Sequence, residues 1–413
     1  MRVAGNFALV LTGYVLRLSA GMVVFVILAR LLGPAPFGRF AYWLAIATIL
    51  AIPVNYGFNS MVLRSFGAER QRAPEVMGDV LMAKMLLAGL VVLLAGIGLP
   101  WVPAGDRALF VALLVAQICE SFSEYYTLGF RVKGHFSRET VTASMVSVWH
   151  ISLMTGIGFW FKNADAAALA FAASRASGVV LTRYRALTSF GAIPRSSVTR
   201  AFASMKVAWA YAAELGLFTV YSQIDSLMIN SMLGPAAVGL YQAGMKLVQG
   251  ACRIAPVLAQ VLLPELARSH ANDHDVRKQA LKTIAIFAGI GLGGGLIMTV
   301  GAKPLTAMLF GKAFADLAPL LPWFGLMLFI KFTETGVGLI LVAHGLQSTK
   351  VWLVAIQLAL ILSVGWIALS RFGLIGWQVV NIACVALLVA LYALLLKGSS
   401  FATSEAVDRI AAE

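Results

Sequence analysis

Apolar runs of about 18 residues or more recur along this 413-residue chain, each long enough to cross a hydrocarbon core roughly 30 Å thick. That recurrence constrains the chain more than any local motif. Sixty per cent of the residues are hydrophobic and 12% charged, with a mean hydropathy of +0.86, which is not the make-up of a soluble protein. The sequence predicts an all-α polytopic membrane protein. Its first run, Phe7 to Leu32, is too long for a signal h-region and lacks a clear cleavage site, so it is expected to be the first span.

Twelve spans are predicted: Phe7–Leu32, Phe37–Met61, Val76–Trp101, Arg107–Phe130, Val141–Phe161, Ala166–Leu187, Val207–Leu233, Val238–Leu263, Ala280–Val300, Leu317–Val342, Val351–Arg371 and Leu374–Leu396. With the N-terminus inside, 19 Lys and Arg fall in the inner connections and termini. Seven fall outside: Arg30, Arg39, Arg107, Lys162, Lys303, Lys312 and Arg371. This bias predicts cytoplasmic N- and C-termini and an even number of spans. It also assigns the net charge of +14 to topology and to contact with anionic membrane lipids rather than nucleic acid. Cys119, Cys252 and Cys384 all lie inside apolar runs and read as small core residues.

The two halves repeat each other. Leu32-Gly33-Pro34-Ala35-Pro36-Phe37-Gly38 returns as Leu233-Gly234-Pro235-Ala236-Ala237-Val238-Gly239, at an offset of 201. Glycine lets the chain leave one helix and proline opens the next, so each copy reads as a tight helical turn. Further on, Gly134 and Ser137 correspond to Gly345 and Ser348, at an offset of 211. Both halves start inside and run six spans, which makes the repeat parallel. The expected organisation is a six-helix lobe over 1–190, a basic linker over 191–206, a second lobe over 207–397 and a tail over 398–413. The linker reads as a positive-inside loop with a short surface helix over Ser196–Lys206.

Ionisable residues inside a span cost roughly 2.5–3.5 kcal/mol each on the insertion scale and usually face a cavity or a partner. The spans hold Arg17, Lys84, Glu120, Glu124, Arg175, Glu214, Asp225, Lys246, Arg253, Lys331 and Glu334. Lys84 and Glu214 are shallow enough to snorkel. In span eight Gln242, Lys246, Gln249 and Arg253 step by four, three and four, one polar stripe on a helix. Asn55 and Asn59 form a weaker stripe in span two. Arg17, Arg175, Lys246, Arg253 and Lys331 are candidate anion-binding groups. Asp225, Glu120, Glu124 and Glu334 are candidate coupling-ion sites or counter-ions. Asn55, Asn59, Gln242 and Gln249 are candidate cavity-lining residues. Mutual pairing of the charges, holding helices together, is the competing reading of each single residue.

Weaker motifs carry less. The Gly289–Gly295 run mimics a phosphate loop but lacks a preceding strand, so close helix packing is expected instead. His270 and His274 have a metal-like spacing without further obvious ligands, and no metal or other cofactor is expected. Nothing supports Ser/His/Asp catalysis.

The pattern Ala29-Arg30-Leu31-Leu32-Gly33-Pro34-x-x-Phe37-Gly38-x-Phe40 resembles the opening hairpin of the polysaccharide-transport family. These are the Wzx-like O-antigen and exopolysaccharide flippases of the multidrug/oligosaccharidyl-lipid/polysaccharide exporter superfamily. Asp225 before the second turn, Phe310-Gly311-Lys312-Ala313-Phe314, and Gly373 to Gly376 are similar to later segments of that family. The resemblance implies a MATE-like fold of two six-helix lobes. It also implies movement of a polyprenyl-pyrophosphate-linked oligosaccharide across the bacterial cytoplasmic membrane, driven by a proton or sodium ion, with polysaccharide-assembly proteins as partners. A multidrug or cation antiporter of the same superfamily is the nearest alternative, although cationic drugs favour acidic cavities. A lipid II flippase is expected to carry two more spans. A membrane enzyme of polysaccharide assembly is expected to need a larger outer loop than Val300 to Asp316.

Overall fold

The computed structural model describes residues 21–68, 73–256, 258, 259, 262, 273–343 and 346–412. Among them every regular element is helical. The first unit runs through α1 (Gly21–Leu32), α2 (Pro34–Leu50), α3 (Ile52–Asn55), α4 (Phe58–Ala68), α5 (Ala73–Gly98), α6 (Arg107–Val132), α7 (Phe136–Phe161), α8 (Ala164–Phe190) and α9 (Val198–Leu233) into α10 (Pro235–Cys252). The second holds α11 (Asp273–Val300), α12 (Ala302–Leu309), a 3-10 segment (Lys312–Leu320), α13 (Leu321–Ala343) and α14 (Gln347–Ala412). Seven described helices are long and apolar enough to cross a membrane, or eight when the bent pair Pro34–Leu50 and Ile52–Leu63 counts as one span. One of the seven, Thr349–Leu396, holds two predicted spans, because α14 breaks at Gly373 (φ 60°). The fold is an all-α polytopic membrane fold.

The repeat seen in the sequence is also a repeat of backbone geometry. Gly33 and Gly234 take φ 79° and 80°, a region open to glycine, and each is followed by a proline at the first helical position. The second turn is repeated as well. His135 N–H bonds to Phe130 O at 2.8 Å, and Leu346 N–H to Leu341 O at 3.1 Å, both pairs related by the 211-residue offset. These six-to-one bonds close the ends of α6 and α13 on their last carbonyls.

Three of the predicted helices differ from the structure in extent or continuity. The predicted second span is not one helix. It bends by 47° between Leu50 and Ile52, and Tyr56 and Gly57 take φ 45° and 65° before α4 begins. Pro53, which lacks an N–H, and the permissive Gly57 account for the break. The eighth span breaks at the matching point: α10 ends at Cys252, Arg253 and Ile254 form a turn, and Pro256 follows. The short surface helix expected over Ser196–Lys206 is instead the first part of α9, a continuous helix of 36 residues capped by the Ser197 hydroxyl.

The compact units divide at Met1–Gln242 and Ala243–Glu413, so α9 and the start of α10 belong with the first six predicted spans. Two apolar clusters anchor the units. Phe58, Met61, Val80, Tyr125 and Phe130 pack together in the first, and Val337, Leu341, Leu388 and Tyr392 in the second. Lipid tails are as apolar as leucine, so close approach at small residues carries helix association in a membrane. α8 supplies buried Ala164, Ala167, Ala168 and Ala170, and packs along α6. The glycine run of α11 also serves packing: a Cβ at Gly295 would lie 2.6 Å from Gly325 O of α13, and one at Gly325 equally close to Gly295 O.

Candidate functional site

Polar groups inside the first unit pair between helices from α3 to α8. The break in α2–α4 frees the Val54 carbonyl, which a continuous helix would bond to the residue-58 amide. Lys84 of α5 replaces that donor. Its Nζ donates to Val54 O at 2.9 Å and to Ser121 Oγ at 2.6 Å, and lies 5.8 Å from the Phe122 ring centroid. Lys84 is only 1% exposed. The expectation that it snorkels is therefore wrong: it caps the helix break from within the unit.

One turn along α6, Glu124 accepts from Asn59 Nδ2 at 3.2 Å and acts electrostatically on Lys84. Glu120 accepts from Arg175 Nη1 of α8 at 2.7 Å. Arg175 also lies over Phe171, 5.0 Å from the ring centroid. Next to it His150 shares a 2.7 Å hydrogen bond with Ser174. Asn55 Oδ1, Asn59 Oδ1 and Arg175 Nε are buried without a hydrogen-bond partner. The arrangement is a row of ionic groups that are paired yet retain spare donors and acceptors. Asp225 of α9 is buried and accepts from the Tyr241 hydroxyl at 2.6 Å, while Gln242 donates to Ser226.

In the second unit Lys246 donates to Gln249 at 3.1 Å. Arg253, expected to continue this stripe, lies in the turn after α10 and is exposed. Lys331 and Glu334 of α13 both act electrostatically on Cys252, which places the end of α10 beside that face of α13. Arg17 lies outside the described residues, as does His270.

The Gly-Pro turns meet each other. A Cβ on Gly38 would strike the Pro235 carbonyl and lie 2.7 Å from Gly239 N, and a Cβ on Gly239 would strike the Pro34 carbonyl. Each turn's proline carbonyl thus fits the notch that the other's glycine leaves. Arg39 braces this contact by bonding to Asp106, to Gly105 O and, at 3.3 Å, to Asp165. At the far end of α5, Asp79 receives the Ser196 hydroxyl and pairs with Arg200 Nε at 3.5 Å. The segment before α9 is fastened there.

Fold and interior charges define an all-α polytopic membrane protein that buries paired ionic groups between its helices. Similar solved structures include an inward-facing multidrug resistance MATE family transporter of the MOP superfamily (13% identity, TM-score 0.73, covering 94% of this chain and 96% of that one). The lipid II flippase MurJ in an inward closed conformation is similar over 95% of this chain and 87% of its own (11% identity, TM-score 0.78). A superfamily transporter from Pyrococcus furiosus is similar over 94% of each chain (14% identity, TM-score 0.64). No curated protein matches the chain by sequence. The sequence profile of the polysaccharide biosynthesis protein family matches residues 3–270; the chain belongs to that family.

Proposed function

We propose that this protein moves a polyprenyl-pyrophosphate-linked oligosaccharide, an O-antigen or exopolysaccharide repeat unit, across the bacterial cytoplasmic membrane by alternating access. Family membership over residues 3–270 carries the reading, and the interior charges supply a chemistry for it. A guanidinium binds phosphate oxygens in a fork. Arg175, paired with Glu120 and still holding a buried, unbonded Nε, is equipped to exchange a carboxylate for a diphosphate. Lys246, Arg253, Lys331 and Arg17 are the further candidate anion-binding groups of the sequence. Asn59, Gln242 and Gln249 offer hydrogen bonds to sugar hydroxyls, and the prenyl chain stays in lipid. Asp225, Glu120, Glu124 and Glu334 serve either in coupling to a proton or sodium ion or as counter-ions to the buried cations. The helix breaks at Ala51–Gly57 and after Cys252 are the joints at which the second helix of each half bends.

The test is genetic and biochemical. Depleting the protein is expected to remove surface polysaccharide and to trap its lipid-linked precursor on the cytoplasmic leaflet. A variant lacking the charges of Arg17, Arg175, Lys246 and Arg253, present at normal level in the membrane, should not restore export. Full export from that variant, or a loss of cationic-drug efflux in place of glycan, would rule the reading out.

A further inference from the structure

The pocket around Lys84 has the donor chemistry of a site for a dissolved monovalent cation. It presents a backbone carbonyl freed by a helix break (Val54 O), a hydroxyl (Ser121 Oγ), and a carboxylate in electrostatic range (Glu124). Unwound carbonyls and neighbouring side-chain oxygens are what membrane transporters use to hold sodium. Two more oxygens on the same broken helix, Asn55 Oδ1 and Asn59 Oδ1, are buried and accept nothing. In this chain the place at Val54 and Ser121 is taken by an ammonium group on a tether.

We propose that Lys84 is a built-in cation: its ammonium occupies an oxygen-lined site between the α2–α4 break and α6, keeps dissolved sodium out, and makes this part of the interior independent of ion supply. An ammonium that reaches two oxygen acceptors at 2.6 and 2.9 Å satisfies the groups a sodium ion would bind. Being tethered, it cannot leave with a cargo or a gradient. Ion coupling, where it occurs, then belongs to carboxylates other than Glu124. The inference stands on the Lys84 contacts alone and does not depend on what the protein transports.

The consequence is open to measurement on the purified full chain in detergent. Thermal unfolding is compared in sodium chloride and in N-methylglucamine chloride at equal ionic strength. Lys84→Ala opens the site, so its midpoint should rise saturably with sodium and not with N-methylglucamine. The wild-type midpoint should be the same in both salts. Lys84→Ala combined with Glu124→Gln should lose the response. Lys84→Ala that is folded yet indifferent to sodium overturns the proposal, as does a sodium response that survives the second substitution. A wild-type sodium response abolished by Glu124→Gln overturns it too. Because Lys84→Ala could unfold, the variant is also extracted in each salt. Recovery of folded protein only in sodium supports the proposal, and failure in both overturns it.

Discussion

Replacing Gly38 by alanine should force apart the two Gly-Pro turns, and the structure sets the size of the effect. The added Cβ would lie 2.7 Å from Gly239 N and from the Pro235 carbonyl carbon, and closer still to the Pro235 oxygen. Comfortable separations between carbon atoms are about 3.5–4.0 Å, so the shortfall is about 1 Å or more. It falls on backbone atoms, which have no rotamer to turn away. α2 and the start of α10 must then separate, at an overpacking cost of about 1–3 kcal/mol.

Gly239→Ala meets the same limit from the other side, with its Cβ 2.8 Å from the Pro34 carbonyl carbon. Once either alanine has opened the contact, the other finds room. The double variant should therefore cost little more than one single, a departure from additivity of about 1–3 kcal/mol. Gly89→Ala is the control. Nothing lies within 4 Å of its added Cβ, and alanine favours a helix over glycine by about 0.8–1.0 kcal/mol, so that variant should be neutral or stabilised. Equilibrium unfolding of the four variants and the wild type in detergent decides the matter. Additive costs at Gly38 and Gly239, or singles within about 0.5 kcal/mol of wild type, would refute the close fit.

Two further outcomes follow from the ionic contacts. Arg175→Ala leaves Glu120 without its 2.7 Å partner, at side-chain exposures of 20% and 32%. It should destabilise more than the Arg175→Ala, Glu120→Gln double variant, though by less than the 3–5 kcal/mol typical of a fully buried pair; additive losses in the unfolding cycle would contradict this. Asp79→Ala removes the acceptor for Ser196 and the partner of Arg200. Limited trypsin cleavage after Arg195 should then speed up several-fold, an opening of about 1 kcal/mol in local stability, and an unchanged rate would show that the segment is held by other means.

The sequence made the spans and the repeated turns legible because both are local signals: a long apolar run, and a glycine followed by proline. Interior order was harder to read. Phe37–Met61 and Val238–Leu263 each read as a single span despite Pro53, Gly57 and Pro256, since hydropathy is blind to a backbone break. Missing the break meant missing Lys84, whose burial makes sense only once the Val54 carbonyl needs a donor. Arg253 was placed on a stripe by helical arithmetic that stops at Cys252. Arg39 and Asp106 are 67 positions apart, and neither carries a local hint of the other. Glu120 and Arg175 were both singled out by depth, but only packing of α6 on α8 makes them partners.

The meeting of the two turns also has a symmetry of its own. A contact in which Pro34 fits Gly239 while Pro235 fits Gly38 is self-complementary, the pattern that a two-fold axis imposes on a pair of identical subunits. If one Pro-x-x-x-Gly sequence served both sides of such a contact, any change in it would strike twice. In this chain the two copies are separate stretches of sequence, so each can change alone. The glycines and prolines match, whereas the next position is Arg39 in one copy and Leu240 in the other. A brace that two identical subunits could not have made one-sided is now free to act on one half alone.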